Sequence, residues 1–333
     1  MNVYFYPPPY PSSRPVNHNP YSDNFRRYLG EQCDVINFFE ARWALFDMLK
    51  HIFKFDVIIF NWIENIGYKP LGFLQFALFY ILFIIMRVRR VSVLWIMHNI
   101  YPHEGEKLMS RAVKSLMYKH SSIIVTHSRE ALAYAKEKSD KRIVFFHHPT
   151  SHPVECSKND PEIKFDILIW GSIEPYKGVL EFLQYVVGSN LKIKIKVIGS
   201  CKDDNYRVDI ERSIMSFPTI DFESRRASFD ELKLLVSEAQ FTLFPYSSKS
   251  VSSSGALMDT LRFGGSVIGP NQGAFKDLKE DGLCFVFDDY KDVVEIVRKG
   301  DQIDKRRIVK FLKMNTWPFF IDNLLKEIKE LKN

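Results

Sequence analysis

Two stretches of this 333-residue chain gather residue types suited to holding a phosphate group. The first, Trp170 to Leu183, reads WGSIEPYKGVLEFL: Gly171 and Ser172 leave a strand-like run, Pro175 turns the chain, and Lys177-Gly178 opens a helical pattern. Small residues at such a turn let a ligand approach the backbone, and Lys177 supplies a compact cation for phosphate oxygens. The second, FTLFPYSSKSVSSSGALMDTLRFGG from Phe241 to Gly265, passes from a strand ending near Phe244 through a hydroxyl-rich loop into a helix that starts around Ser253 or Ser254. A helix start offers unpaired amides and the positive end of the helix dipole, so Ser253, Ser254, Gly255 and Ala256 form a candidate anion cradle, with Tyr246 in the loop leading to it. Asp259 lies one to two turns further in, placed to accept hydrogen bonds from a ribose that carries the phosphate. Plainer readings stand beside these: a solvated surface turn for Lys177, ordinary N-capping for the serines and an exposed helix acid for Asp259.

The elements that must position such residues are legible as short, continuously apolar runs spaced by helical stretches. In the first half they are VYFY, DVINF, FDVIIFNW, VSVLWIMHN, SSIIVTHS and RIVFFHHP; the second half starts afresh with FDILIWGS, IKIKVIGS, FTLFPYSS, GSVIGP and LCFVF. Runs of this kind are what a parallel sheet buried on both faces requires. Two doubly wound α/β units in tandem follow, joined through the proline-containing polar segment 151–163, and in open sheets of this kind ligands bind beyond the carboxyl ends of the strands. Leu71 to Met86, LGFLQFALFYILFIIM, breaks the rhythm, being apolar throughout except for Gln75, with RVRR directly after it. As a helix it reaches about 24 Å, short of a hydrocarbon layer of roughly 30 Å, so it reads as a core helix under the sheet or as a helix lying partly in a bilayer with Arg87, Arg89 and Arg90 at the headgroups.

Composition narrows the class. Apolar residues make up 46% and aromatics 14%, enough for packed cores. Net charge is +6, too small to argue for nucleic acid. It is unevenly spread: residues 1–153 hold 19 Lys and Arg against 12 Asp and Glu, together with all nine histidines. A basic face of that size suits anionic lipid or a phosphorylated ligand, or is merely solvated. The four cysteines have neither metal-ligand nor redox spacing and read as buried thiols of a cytoplasmic protein, and the amino-terminal residues lack a signal-peptide pattern.

GSIEPYKG resembles the donor-site turn of GT-B glycosyltransferases, especially glycosyltransferase family 4, and SSSGALMDTLRFGGSVIGPNQGAFKDL is similar to their donor helix and following loop. In the first half MHNIYPHE, THSREAL and NPYSDNF resemble the acceptor domain of bacterial members. The resemblance implies a GT-B architecture: two doubly wound Rossmann-like domains facing a cleft, with an acceptor-binding domain over 1–153 and a nucleotide-sugar-binding domain over 154–315. It also implies that the closing helix, 316–333, crosses back to the first domain; Ile321, Leu324, Leu325, Ile328 and Leu331 give that helix one apolar side. Sugar transfer from a nucleotide diphosphate sugar follows, without cofactor or metal, since fixed charges neutralise the departing diphosphate. No clustered Asp-x-Asp pair for a divalent ion occurs near these motifs. Asp259 matches the acid that typically holds the ribose, and His98 matches a histidine near the transferred sugar, able to orient a hydroxyl or steady developing charge. His103 and Glu104 are the matching candidates for the acceptor pocket. The chain departs from the family pattern twice: the acid expected eight residues before Asp259 is Val251, and the arginine that commonly follows the donor-turn glycine is Ser172, with Arg225, Arg226 and Arg262 as possible substitutes.

The leading expectation is a glycosyltransferase, retaining in outcome, that acts on a saccharide acceptor carried on a lipid at the inner face of the cell membrane, as in bacterial surface polysaccharide synthesis. A non-catalytic nucleotide-sugar-binding subunit and a nucleotide-sugar epimerase are the competing classes.

Overall fold

A computed structural model of the chain describes residues 1–9, 20–39, 41, 43–68, 71–100, 107–151, 162–247 and 254–331. It divides into two compact units, one formed by Met1–His147 with Trp317–Asn333 and the other by His148–Thr316. In chain order the first unit runs β1 (Asn2–Tyr6), α1 (Pro20–Gly30), β2 (Asp34–Val35), α2 (Ala44–His51), β3 (Val57–Asn61), α3 (Gly72–Val88), β4 (Ser92–Met97), α4 (Leu108–His120), β5 (Ile123–Thr126), α5 (Arg129–Lys138) and β6 (Arg142–Phe145). The second runs β7 (Phe165–Trp170), α6 (Val179–Gly188), β8 (Ile195–Ile198), α7 (Asp204–Ile214), β9 (Ile220–Glu223), α8 (Phe229–Ser237) and β10 (Ala239–Leu243). It continues with α9 (Gly255–Arg262), β11 (Val267–Pro270), α10 (Gly273–Glu280), β12 (Phe285–Phe287), α11 (Tyr290–Lys299) and α12 (Lys305–Lys313); α13 (Trp317–Glu330) then returns to the first unit.

Each unit is built on a parallel sheet that is six-stranded among the described residues, ordered β2-β1-β3-β4-β5-β6 in the first and β12-β11-β10-β7-β8-β9 in the second. The strands are apolar at successive positions because both faces are covered. In β1, Tyr4 and Tyr6 enter the core under α2, α3 and α4, while Val3 and Phe5 enter the opposite core under α1 and α13. In β7, Ile167 and Ile169 face α6, and Leu168 faces α8. The period of two along a strand divides one apolar run between two cores.

The helices pack through one stripe each. On α13, Trp317, Phe320, Ile321, Leu324, Leu325 and Ile328 are buried against Tyr21, Phe25 and Leu29 of α1. Leu71, at φ 56°, precedes α3, which buries Phe79, Leu82, Phe83 and Met86 and leaves its other side in solvent. The 71–86 segment is thus core on one face only. Of the cysteines expected to be buried, Cys284 is, whereas Cys33 and Cys201 are half-buried free thiols because each sits at an element end; Cys156 lies outside the described residues.

Candidate functional site

In the second sheet the strand order reverses between β7 and β10, so the loops after these two strands flank the point where an open α/β sheet leaves a crevice. The loop after β7 carries Gly171 at φ 112°, a 3-10 turn over Pro175–Lys177 and Gly178 at φ 68°, from which α6 starts. The loop after β10 carries Pro245, Tyr246 and Ser247 before the described chain resumes at Ser254, the N-cap of α9. A Cβ on Gly178 would lie 2.2 Å from the Pro245 carbonyl oxygen, so glycine is what lets the two loops touch.

Tyr246 stands between the two candidate phosphate-binding groups. Its ring lies 5.8 Å from the Lys177 ammonium, and its hydroxyl is 3.3 Å from Ser254 Oγ. Lys177 Nζ also donates to Ser172 Oγ at 2.7 Å, and Ser247 Oγ donates to the Tyr176 carbonyl at 3.3 Å. A second tie joins the end of β7 to α9, with Trp170 Nε1 donating to Thr260 Oγ1 at 2.9 Å. Lys177, Ser172, Tyr246, Ser254 and Gly255 are therefore brought to one locus.

At the start of α9 both functions of serine coexist. Ser254 Oγ accepts from the Leu257 amide as an ordinary cap, while the first-turn amides of Gly255 and Ala256 have, by position, no intrahelical acceptor. Asp259 is four residues beyond Gly255 and so on the same helix face. It is 29% exposed, and burial pushes its carboxyl up to about 6, opposed by the Arg262 guanidinium 3.9 Å away. Burial pushes the Lys177 ammonium down to about 8, opposed by Glu174. At neutral pH the locus holds a cation poised to gain from an anion and a carboxylate held in its charged form at a cost.

Of the three arginines considered as substitutes for the missing cation, Arg225 is engaged by Glu223 and Glu231 on β9 and α8, Arg226 is exposed in the loop between them, and Arg262 lies beside Asp259. Ser253 lies outside the described residues, as do Val251, His103 and Glu104. One contributor was not foreseen: His148, whose imidazole packs within 3.8 Å of where a Gly255 Cβ would be. Burial pushes this imidazole down to about 4, so it is neutral, which suits a position beside a helix amino terminus. Its signal in the sequence was its place just after an apolar strand run.

In the first unit His98 follows β4 and is buried at the carboxyl end of the sheet. Its Nε2 is 2.9 Å from Asn61 Oδ1 at the end of β3, and the Trp62 ring stacks on it at 4.3 Å with 15° between planes. Trp62 holds φ at 50°, a left-handed conformation that a bulky side chain adopts only when its surroundings require it. Tyr21 meets His98 edge-on at 4.8 Å, and its hydroxyl lies 2.8 Å from Nε2 of His127, the residue after β5. Asn61 and Trp62 were not singled out from the sequence; their signal is a polar and an aromatic residue at a strand end, whereas Tyr21, at the start of α1, and His127, just after β5, lie within the NPYSDNF and THSREAL stretches noted there.

No protein-family model matches the chain, and no curated protein matches it by sequence. Solved structures do match in three dimensions. HepE from Anabaena, crystallised with UDP and glucose, covers 99% of both chains at TM-score 0.72 and 10% identity. The amino-terminal domain of Candida albicans trehalose-6-phosphate phosphatase covers 100% of this chain and 97% of its own at TM-score 0.71 and 7% identity. AviGT4, a glycosyltransferase involved in avilamycin A biosynthesis, covers 99% and 97% at TM-score 0.62 and 11% identity. At such identities the likeness is one of fold: the α/β GT-B architecture with two Rossmann-like domains.

Proposed function

We propose that the protein is a glycosyltransferase that takes its sugar from a nucleotide diphosphate sugar held by the second unit. The observation that carries this reading is the convergence of Lys177 and the α9 amino terminus on Tyr246, at the reversal point of the second sheet. The GT-B fold shared with AviGT4 and with HepE, which was solved with UDP and glucose, supports it.

On this reading Lys177 and the amides of Gly255 and Ala256 hold the diphosphate, with Gly171, Ser172 and the Ser253 and Ser254 hydroxyls around it. Asp259 accepts from the ribose hydroxyls. In transfer, the bond from the sugar's anomeric carbon to the phosphate oxygen breaks and its electron pair passes to the diphosphate. The acceptor hydroxyl oxygen bonds to that carbon and passes its proton to the departing diphosphate oxygen. Fixed positive charge at the departing oxygen then supplies the main stabilisation. The first unit serves the acceptor, with His98 near the reacting sugar and His103 and Glu104 toward the acceptor. The transferred group is a hexose with retained configuration, no metal is used, and the acceptor is a saccharide on a lipid at the inner face of the cell membrane, as surface polysaccharide assembly requires.

A thermal-shift screen of UDP-, GDP- and ADP-sugars tests the donor assignment, because a ligand that binds the folded state raises its melting temperature. One nucleotide sugar is expected to shift the wild type and to lose at least tenfold in affinity for Lys177→Ala. Undiminished binding by Lys177→Ala removes the phosphate role; binding without transfer to any acceptor extract favours a non-catalytic subunit.

A further inference from the structure

The outer side of α3 is the least expected surface of the molecule. An amphipathic helix ordinarily turns polar residues to solvent. Here Phe73, Ile81, Ile84 and Val88 are 71%, 56%, 49% and 80% exposed, and they recur at helical spacing along one face, opposite the buried Phe79, Leu82, Phe83 and Met86. The patch extends onto the neighbouring α2, where Phe46 and, just beyond the helix, Phe53 are 55% and 74% exposed. Arg89 joins the two helix ends: its guanidinium bonds the carbonyls of Ile52, Phe53 and Phe55 and covers the Phe53 ring at 5.5 Å. Arg89 is thus a strut rather than a surface charge. The exposed charges at the same ends are Lys50, Lys54, Arg87 and Arg90, with Asp56 the nearby exposed acid. Asp47, on the inner side of α2, accepts from the Tyr4 hydroxyl at 2.8 Å.

From this arrangement we infer that the α2–α3 face docks on an anionic lipid bilayer, its aromatic and aliphatic side chains entering the interface and its cationic end meeting the headgroups. This deepens the lipid-linked reading above by naming the surface. Among the described residues no helix is long and apolar enough to cross a membrane, so the contact is one of lying on the surface. Charge selects the occupant. Among the described residues the exposed charges of this face are four cations against one acid, Asp56, so a second copy presenting the same face brings the same excess of positive charge to it. An anionic bilayer answers both the apolar side chains and the four cations, and each Lys or Arg near such a surface adds to the attraction.

Co-sedimentation of the full chain with vesicles tests this. Binding to phosphatidylglycerol–phosphatidylcholine vesicles is expected, with little to phosphatidylcholine alone and a fall of at least tenfold on raising salt. Ile81→Ser/Ile84→Ser and Arg87→Glu/Arg90→Glu are each expected to lower binding at least tenfold. Melting temperature and nucleotide-sugar shift should stay close to wild-type values, since Ile81 and Ile84 are about half exposed and Arg87 and Arg90 are exposed. Wild-type protein that stays in the supernatant with anionic vesicles overturns the inference, as does wild-type binding by both double variants. Light scattering that shows a dimer dissociated by Ile81→Ser/Ile84→Ser also overturns it, by assigning the face to a second copy. A protein that binds vesicles but no nucleotide sugar leaves the docking face standing and removes the transferase reading.

Discussion

Lys177 and Asp259 are shifted toward neutrality from opposite sides, and their proposed roles need both of them charged. With the free ammonium at about 8 and the free carboxyl at about 6, donor affinity should be greatest between these values. It falls above about 8 as Lys177 loses its proton and below about 6 as Asp259 gains one; calorimetric titration of the donor across pH 5 to 9 checks both limbs. The sign for stability differs. Because burial raises the Asp259 value, the folded chain binds that proton more tightly than the unfolded one, and the ionised carboxylate costs stability at pH 7. Asp259→Asn should therefore stabilise the ligand-free protein by about 1 kcal/mol at pH 7, allowing for its partial exposure, while weakening donor binding. A variant that melts earlier and binds as wild type refutes the ribose assignment. Lys177 and Ser254 were picked out in the sequence by residue type alone, a cation and a hydroxyl in loops that follow strands, and the fold brings both of them to Tyr246. Tyr246 as the hub and His148 as a neighbour of Gly255 were not legible there, since their importance comes from tertiary proximity between distant loops.

At the level of elements, the donor locus depends on two loops in contact, and Gly178 is where they meet. Gly178→Ala would place a methyl group 2.2 Å from the Pro245 oxygen on a backbone at φ 68°. It is expected to destabilise the second unit by about 2–4 kcal/mol and to part Lys177 from Tyr246, read as a lower melting temperature together with weaker donor binding. Most strands announced themselves as apolar runs because both sheet faces are covered. β9 did not: in Ile220–Glu223 only the first residue is buried, since this is the edge strand of its sheet, so no apolar run marks it. The outward face of α2 was missed for a related reason. Its exposed apolar residues alternate with buried and charged ones, so no unbroken run marks them, whereas 71–86 stood out by its length.

At the scale of the whole chain, the first unit is closed by residues that come after the second. Trp317 is 2% exposed and packs edge-on to Tyr21 at 5.1 Å and to Phe25 at 6.0 Å. Trp317→Ala should cost the first unit about 3–5 kcal/mol, and hydrogen exchange should rise in β1, β3 and α1 with β7 and β10 unchanged. Equal loosening of both sheets would show that the units do not hold their stability separately. The tandem arrangement was readable because each half repeats the alternation of apolar run and helix. The return of α13 was readable only through family likeness, as an amphipathic stripe does not say which core it joins.

That return also orders events during synthesis. Residues 148–316 can leave the ribosome and collapse as one continuous segment, but the earlier-made 1–147 must wait for 317–330 before its second core is covered. Translation therefore completes the later unit first, and until then the nascent chain exposes the apolar surface of α1 and β1 to whatever chaperone attends it.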